Sequence, residues 1–130
     1  MGEDAITRGI VYRRIPPTWV VTAEDGSRRP SSQAFNNDGE GSPMSGYHDE
    51  LLADEALGPS DVLAGHDGFF VSSLDVSFLL DEEQRVVRAL VDRPVHPCDV
   101  AHVHVDGRKN ASRRKRLSKH ARWVPGLGPS

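Results

Sequence analysis

The alternating stretch Ala101-His102-Val103-His104-Val105 constrains the fold more than any other segment. Strict alternation puts Val103 and Val105 on one face of a strand and His102 and His104 on the other. A tight turn at Asp106-Gly107 follows. The chain then enters a basic helix that Asn110 or Ser112 can cap, with Leu117, Ala121 and Val124 spaced as a narrow docking stripe. A half-apolar strand running into such a helix needs a sheet to pair with and a helical layer to cover it, so the expected class is α+β.

The remaining punctuation fits a small domain of that class. Gly9 to Ile15 alternates loosely and stops at Pro16-Pro17, which lack amide donors. Thr18 to Thr22 is β-branched and aromatic and reads as a strand. The turn at Glu24-Asp25-Gly26-Ser27 then returns Arg28 onward as its hairpin partner. The segment 36–43 is turn-forming and mobile in composition. Ser45 can cap a central helix from Gly46 to Leu57, stopped by Gly58. Phe69 to Ser73 reads as a buried strand, Leu74 to Leu80 as a short helix and Arg85 to Val91 as a further strand. The expectation is a single domain over residues 9–124, with a mainly antiparallel sheet, a central helix and the basic C-terminal helix on the sheet's face. Residues 1–8 are expected to fray and residues 125–130 to be flexible. A chain of 130 residues suits one core.

Composition narrows the setting. The lone Cys98 excludes an internal disulfide, which favours a reducing, cytoplasmic location. The longest apolar runs fall far short of the roughly 20 residues that cross a bilayer, so no membrane partner is expected. The formal net charge of −3 hides a segregation. Residues 1–107 carry 8 Lys or Arg against 19 Asp or Glu, whereas residues 108–130 carry 8 against none. Such asymmetry marks an interaction surface.

Three groups of residues carry possible chemistry. Arg108, Lys109, Arg113, Arg114, Arg116, Lys119 and Arg122 lie in a segment with no acidic residue to offset them, so an external anion is their natural partner. The first functional expectation is therefore a non-catalytic accessory module that contacts nucleic acid or an acidic protein partner through the last helix. His96, His102 and His104 are candidate metal ligands, but their spacing matches no standard structural zinc site, and no cofactor is expected. Arg29 and Ser32, with His66, His102 and His104, form the alternative: a small nuclease-like phosphoester or nucleotide hydrolase. A place in a toxin–antitoxin or defence operon is compatible with either expectation.

Two resemblances bear on these readings. His102, His104 and Ser112 are similar in spacing to the H-x-H and serine of JAMM-type zinc isopeptidases. Here, however, Lys115 stands where that family's ligating aspartate would be, and a lysine there repels a cation. The order Arg13-Arg14-Ile15-Pro16, Arg29-Pro30-Ser31-Ser32-Gln33-Ala34-Phe35, Ser42-Pro43-Met44-Ser45, Val62-Leu63-Ala64-Gly65-His66, Asp99-x-Ala101-His102 and Arg122-Trp123-Val124 resembles a group of small bacterial proteins with no known activity. That resemblance implies a bacterial, single-domain origin and carries no mechanism.

Overall fold

The computed structural model describes residues 5–38 and 43–129. Of the segment 36–43 expected to be mobile, residues 39–42 lie outside the described residues, as do 1–4 and 130. The strands are β1 (Ala5–Ile6), β2 (Ile10–Ile15), β3 (Val20–Thr22), β4 (Arg28–Pro30), β5 (Met44–His48), β6 (Phe70–Asp75), β7 (Arg85–Arg88), β8 (His102–Asp106) and β9 (Arg122–Trp123). The α-helices are α1 (Asp49–Asp54), α2 (Val76–Asp81) and α3 (Ala111–His120). Seven strands form one sheet in the order β1-β7-β8-β5-β2-β6-β9, with every pairing antiparallel, and β3 with β4 forms a separate hairpin. The α+β class with a C-terminal basic helix is therefore the observed one.

Cross-strand register fixes what each face carries. Val103 and Val105 share a face with Met44, Val11, Leu74 and Val86, and Leu117 of α3 and Phe35 close over this layer. Leu117 is fully buried, worth roughly 1.5–3 kcal/mol to the docking of α3. On the opposite face Tyr47 and Val71 meet Leu52 of α1, Val62, and Cys98 with Ala101. Those residues come from two 3-10 turns, Pro59–Leu63 and Pro97–Ala101, that cover part of the face.

The central helix is not where the sequence suggested. Met44–His48 is a strand between β8 and β2, and only Asp49–Asp54 is helical. The reason is tertiary. Gly46 sits over β2, where a Cβ would stand 2.5 Å from Val11 Cγ1 and 3.0 Å from the Tyr12 carbonyl. Asp49 nevertheless heads α1 as an acidic first-turn residue, its Oδ1 accepting from Ile10 N at 3.0 Å and Glu50 N at 2.9 Å. The helix stops early because Ala56 takes a positive φ of 58° and turns the chain away. Likewise, Pro17–Trp19 winds as a 3-10 turn closed by Trp19 N donating to Pro16 O, so β3 begins only at Val20.

Both ends of the described chain make contacts with the sheet. Ala5 and Ile6 pair with Val87 and Val86. At the other end Leu127 O accepts from Val71 N at 3.0 Å, and Gly128 packs against Trp123 beside the sheet edge.

Candidate functional site

Helix α3 is capped by Asn110, whose Oδ1 accepts from Arg113 N at 2.9 Å. Much of its charge is spent inside the molecule. Lys109, expected at a binding surface, is buried, and its Nζ donates to Asn37 Oδ1 at 2.7 Å, Val105 O at 2.8 Å and Gly107 O at 3.0 Å. Arg114 donates to Lys109 O at 2.6 Å. Arg116 reaches both carboxylate oxygens of Glu82 at 2.9 Å, and Arg113 lies 3.4 Å from Glu82 and 3.5 Å from Glu83. The hydrogen bonds from Arg116, reinforced by Arg113, hold the Glu82 carboxyl below its ordinary value against a smaller desolvation effect. Thus four of the seven cations named from sequence serve the chain's own backbone and acidic body, while Arg108, Lys119 and Arg122 remain exposed.

The free charge gathers elsewhere on the helix. A cleft of about 220 Å³ is lined by Val21, Arg29, Ser31, Ser32, Lys115, Ser118 and Lys119. Its frame follows from local chemistry. Ser31 caps a 3-10 turn over Ser32–Phe35 by accepting from Gln33 N, and its own amide donates to Trp19 O. Ser118 Oγ donates to Pro30 O at 2.6 Å, and Trp123 Nε1 donates to Arg28 O at 2.8 Å, fastening β4 to α3 and β9. Arg13 supports the same turn from the sheet, donating from Nε to Ala34 O and from Nη1 to Ser45 O, both at 2.6 Å. The lining holds three cations and no carboxylate. Asp25, which acts on Arg29 from the hairpin turn, is committed to Ser27 N and Oγ at 2.9 and 2.6 Å.

The histidines lie on the other side of the sheet. His102 stands opposite Tyr47 and His104 opposite Ser45 in the β5–β8 register, on the face turned away from α3. The ring of Tyr47 stacks on His96 at 5.9 Å and meets His102 edge-on at 5.9 Å, with Arg14 above it at 5.7 Å. His66 lies 6.0 Å from His96 and tilts against Phe69. Burial first, then Arg14 and His96, lower the His66 pKa. The alternation of β8 therefore divides the hydrolase set expected from sequence: Ser32 and Arg29 belong to the cleft, and His66, His102 and His104 to the opposite face.

The three candidate metal ligands are likewise not equivalent. Cys98 N donates to His96 Nδ1 at 3.0 Å, so His96 Nε2 must carry the proton it gives to Ala64 O at 2.9 Å. Both nitrogens are committed, and the Tyr47 ring separates His96 from His102. Among the described residues, the only three-group cluster with metal-binding separations is His48, Asp49 and Glu50, which does not include His96, His102 or His104. There, Asp49 already accepts two backbone amides. Cys98 is buried, which pushes its thiol up to about 11 and leaves it no nucleophilic character at neutral pH.

Comparison with protein-family models, curated proteins and solved structures finds no match in any of the three. Sequence reasoning picked out Arg29, Ser32 and Lys119 but left Ser31, Lys115 and Ser118 out of the candidate set. The signal was present: Lys115 and Lys119 are four apart, hence on one stripe of the helix.

Proposed function

We propose that this protein is a non-catalytic binding module for single-stranded nucleic acid, holding backbone phosphates in the cleft between α3 and the β3–β4 hairpin. One observation carries the reading: Arg29, Lys115 and Lys119 converge with Ser31 and Ser32 on one cleft whose lining holds no carboxylate. Guanidinium, ammonium and hydroxyl donors are the groups that take phosphate oxygens, and a carboxylate-free lining leaves them available. Val21, 39% exposed, adds an apolar edge against which a sugar or base can rest. A single strand suits a concave site of this size better than a duplex does. The broad basic face a duplex needs is broken where Arg113 and Arg116 turn toward Glu82.

The test is fluorescence anisotropy with labelled single-stranded RNA and DNA, and with a duplex, across a salt series. Three cations neutralising up to three phosphates give a slope of log affinity on log salt of about −2, or roughly a 20-fold loss between 50 and 200 mM salt. The double variant Lys115→Glu, Lys119→Glu should bind at least tenfold more weakly and flatten the slope. Absence of binding to any strand at low salt, or unchanged binding by that variant, overturns the reading. Binding of an acidic polypeptide alone would transfer the cleft to a protein partner.

A further inference from the structure

We propose that His102 and His104 form a two-histidine site for an imidazole-preferring divalent transition-metal ion, open on its remaining positions to water or an outside ligand. The site lies on the face of the sheet away from the cleft and does not depend on the nucleic-acid reading.

Three features of the pair support it. The first is tautomer control. His102 Nδ1 lies 2.9 Å from Ala89 O, an atom that can only accept, so Nδ1 carries the proton and the Nε2 lone pair is free. Ala89 N also donates to His102 O at 2.9 Å, so one residue clamps both the backbone and the ring of His102. A ligating histidine commonly gives its other N–H to a backbone carbonyl in this way.

The second is spacing. An ion bound tetrahedrally at about 2.0–2.1 Å from nitrogen stands about 3.2 Å from each ring centre, which places two imidazole centroids about 5.2 Å apart. The centroids of His102 and His104 are 5.2 Å apart, with the rings at 82°. The third is access. His104 makes no hydrogen bond through its ring among the described residues and is partly exposed, so its ring nitrogens are accessible to an ion.

Two imidazoles without a thiolate follow the usual divalent order, with Cu2+ bound most tightly and Zn2+ and Ni2+ less so. The experiment uses the full chain, titrated with Cu2+ and separately with Zn2+ against a weak competing chelator, followed by calorimetry and, for Cu2+, by electron paramagnetic resonance. The expected result is one ion per chain, nitrogen hyperfine structure from two imidazoles, and roughly tenfold or greater weakening in His102→Ala or His104→Ala. His104→Asn, which keeps a polar side chain at a partly exposed position, guards against loss of fold, and each variant's urea midpoint is recorded alongside. Variants His66→Ala and His120→Ala should bind as the parent does. No saturable Cu2+ binding in the parent, or undiminished binding in the His102→Ala, His104→Ala double variant, overturns the assignment.

Discussion

Arg13 is the residue whose replacement tests the fold most sharply. The β2–β5 ladder contains only the pairs Val11 with His48 and Tyr12 with Tyr47. Beyond it, the Arg13 guanidinium takes the Ser45 carbonyl and reaches across to Ala34 O, while Nη2 meets Asp38 at 3.0 Å. One buried side chain thus joins β2, β5 and the 3-10 turn that frames the cleft. Arg13→Met fills much of the volume but leaves two carbonyls without a donor, each costing about 1–3 kcal/mol. The partly exposed Asp38 pair adds less than about 1 kcal/mol. The expected loss is therefore about 2–7 kcal/mol, a large share of a typical domain's 5–15 kcal/mol. Equilibrium urea unfolding measures it as a lower midpoint at unchanged slope. Arg13→Lys keeps the charge but not the fork and should fall between the two. A loss below about 1 kcal/mol for Arg13→Met would mean that water satisfies both carbonyls and that Arg13 does not organise the turn.

Three further outcomes follow from single contacts. Gly46→Ala should cost about 1–3 kcal/mol, because the new methyl meets Val11 Cγ1 and the Tyr12 carbonyl; an unchanged urea midpoint would contradict the close β2–β5 approach. In the native protein at pH 8, Cys98 should react with a disulfide reagent at least roughly 100-fold more slowly than a free thiol, from ionisation alone, and at full rate once unfolded; fast native labelling would refute its burial. Burial lowers Lys109 to about 8 from an ordinary 10.5. The unfolded chain therefore holds the extra proton between those values, and this group makes stability rise with pH from about 8 to about 10.5. Cys98, raised from 9 to about 11, opposes that rise above pH 9, so the informative quantity is the parent's stability minus that of Lys109→Met. It should increase from pH 8 to 9, and a flat difference would show that the three acceptors on Nζ outweigh burial.

What could be read directly from the chain was local. The β8 alternation, the β3–β4 turn, the Asn110 cap and the succession of β6 and α2 all depend on period, caps and turn residues within a few positions of one another. What misled was tertiary. Met44–His48 has the composition of a helix start, and it is a strand because two neighbouring strands need it there and Gly46 lets one of them close in. The cleft was half legible: Arg29 and Ser32 stood out as candidate site residues, but only the fold brings Lys115 and Lys119 against them. Tyr47 and Arg14 beside the histidines were missed altogether. Their placement rests on the Tyr12–Tyr47 and Arg14–Val71 registers, which link parts of the chain far apart in sequence.

The charge segregation shows why a basic run does not by itself define a binding surface. At 3.6 residues per turn, the Arg113 and Arg116 stripe and the Lys115 and Lys119 stripe are roughly 110° apart around α3. The first stripe faces the turn after α2 and meets Glu82 and Glu83, so part of the negative body and part of the positive tail neutralise each other within the chain. That contact orients the helix. With Leu117 buried on the sheet and Ser118 bonded to Pro30, the rotation of α3 about its axis has no freedom left, and the second stripe is forced to face the hairpin. By holding one stripe of cations, the acidic body thus aims the other at the serines across the cleft.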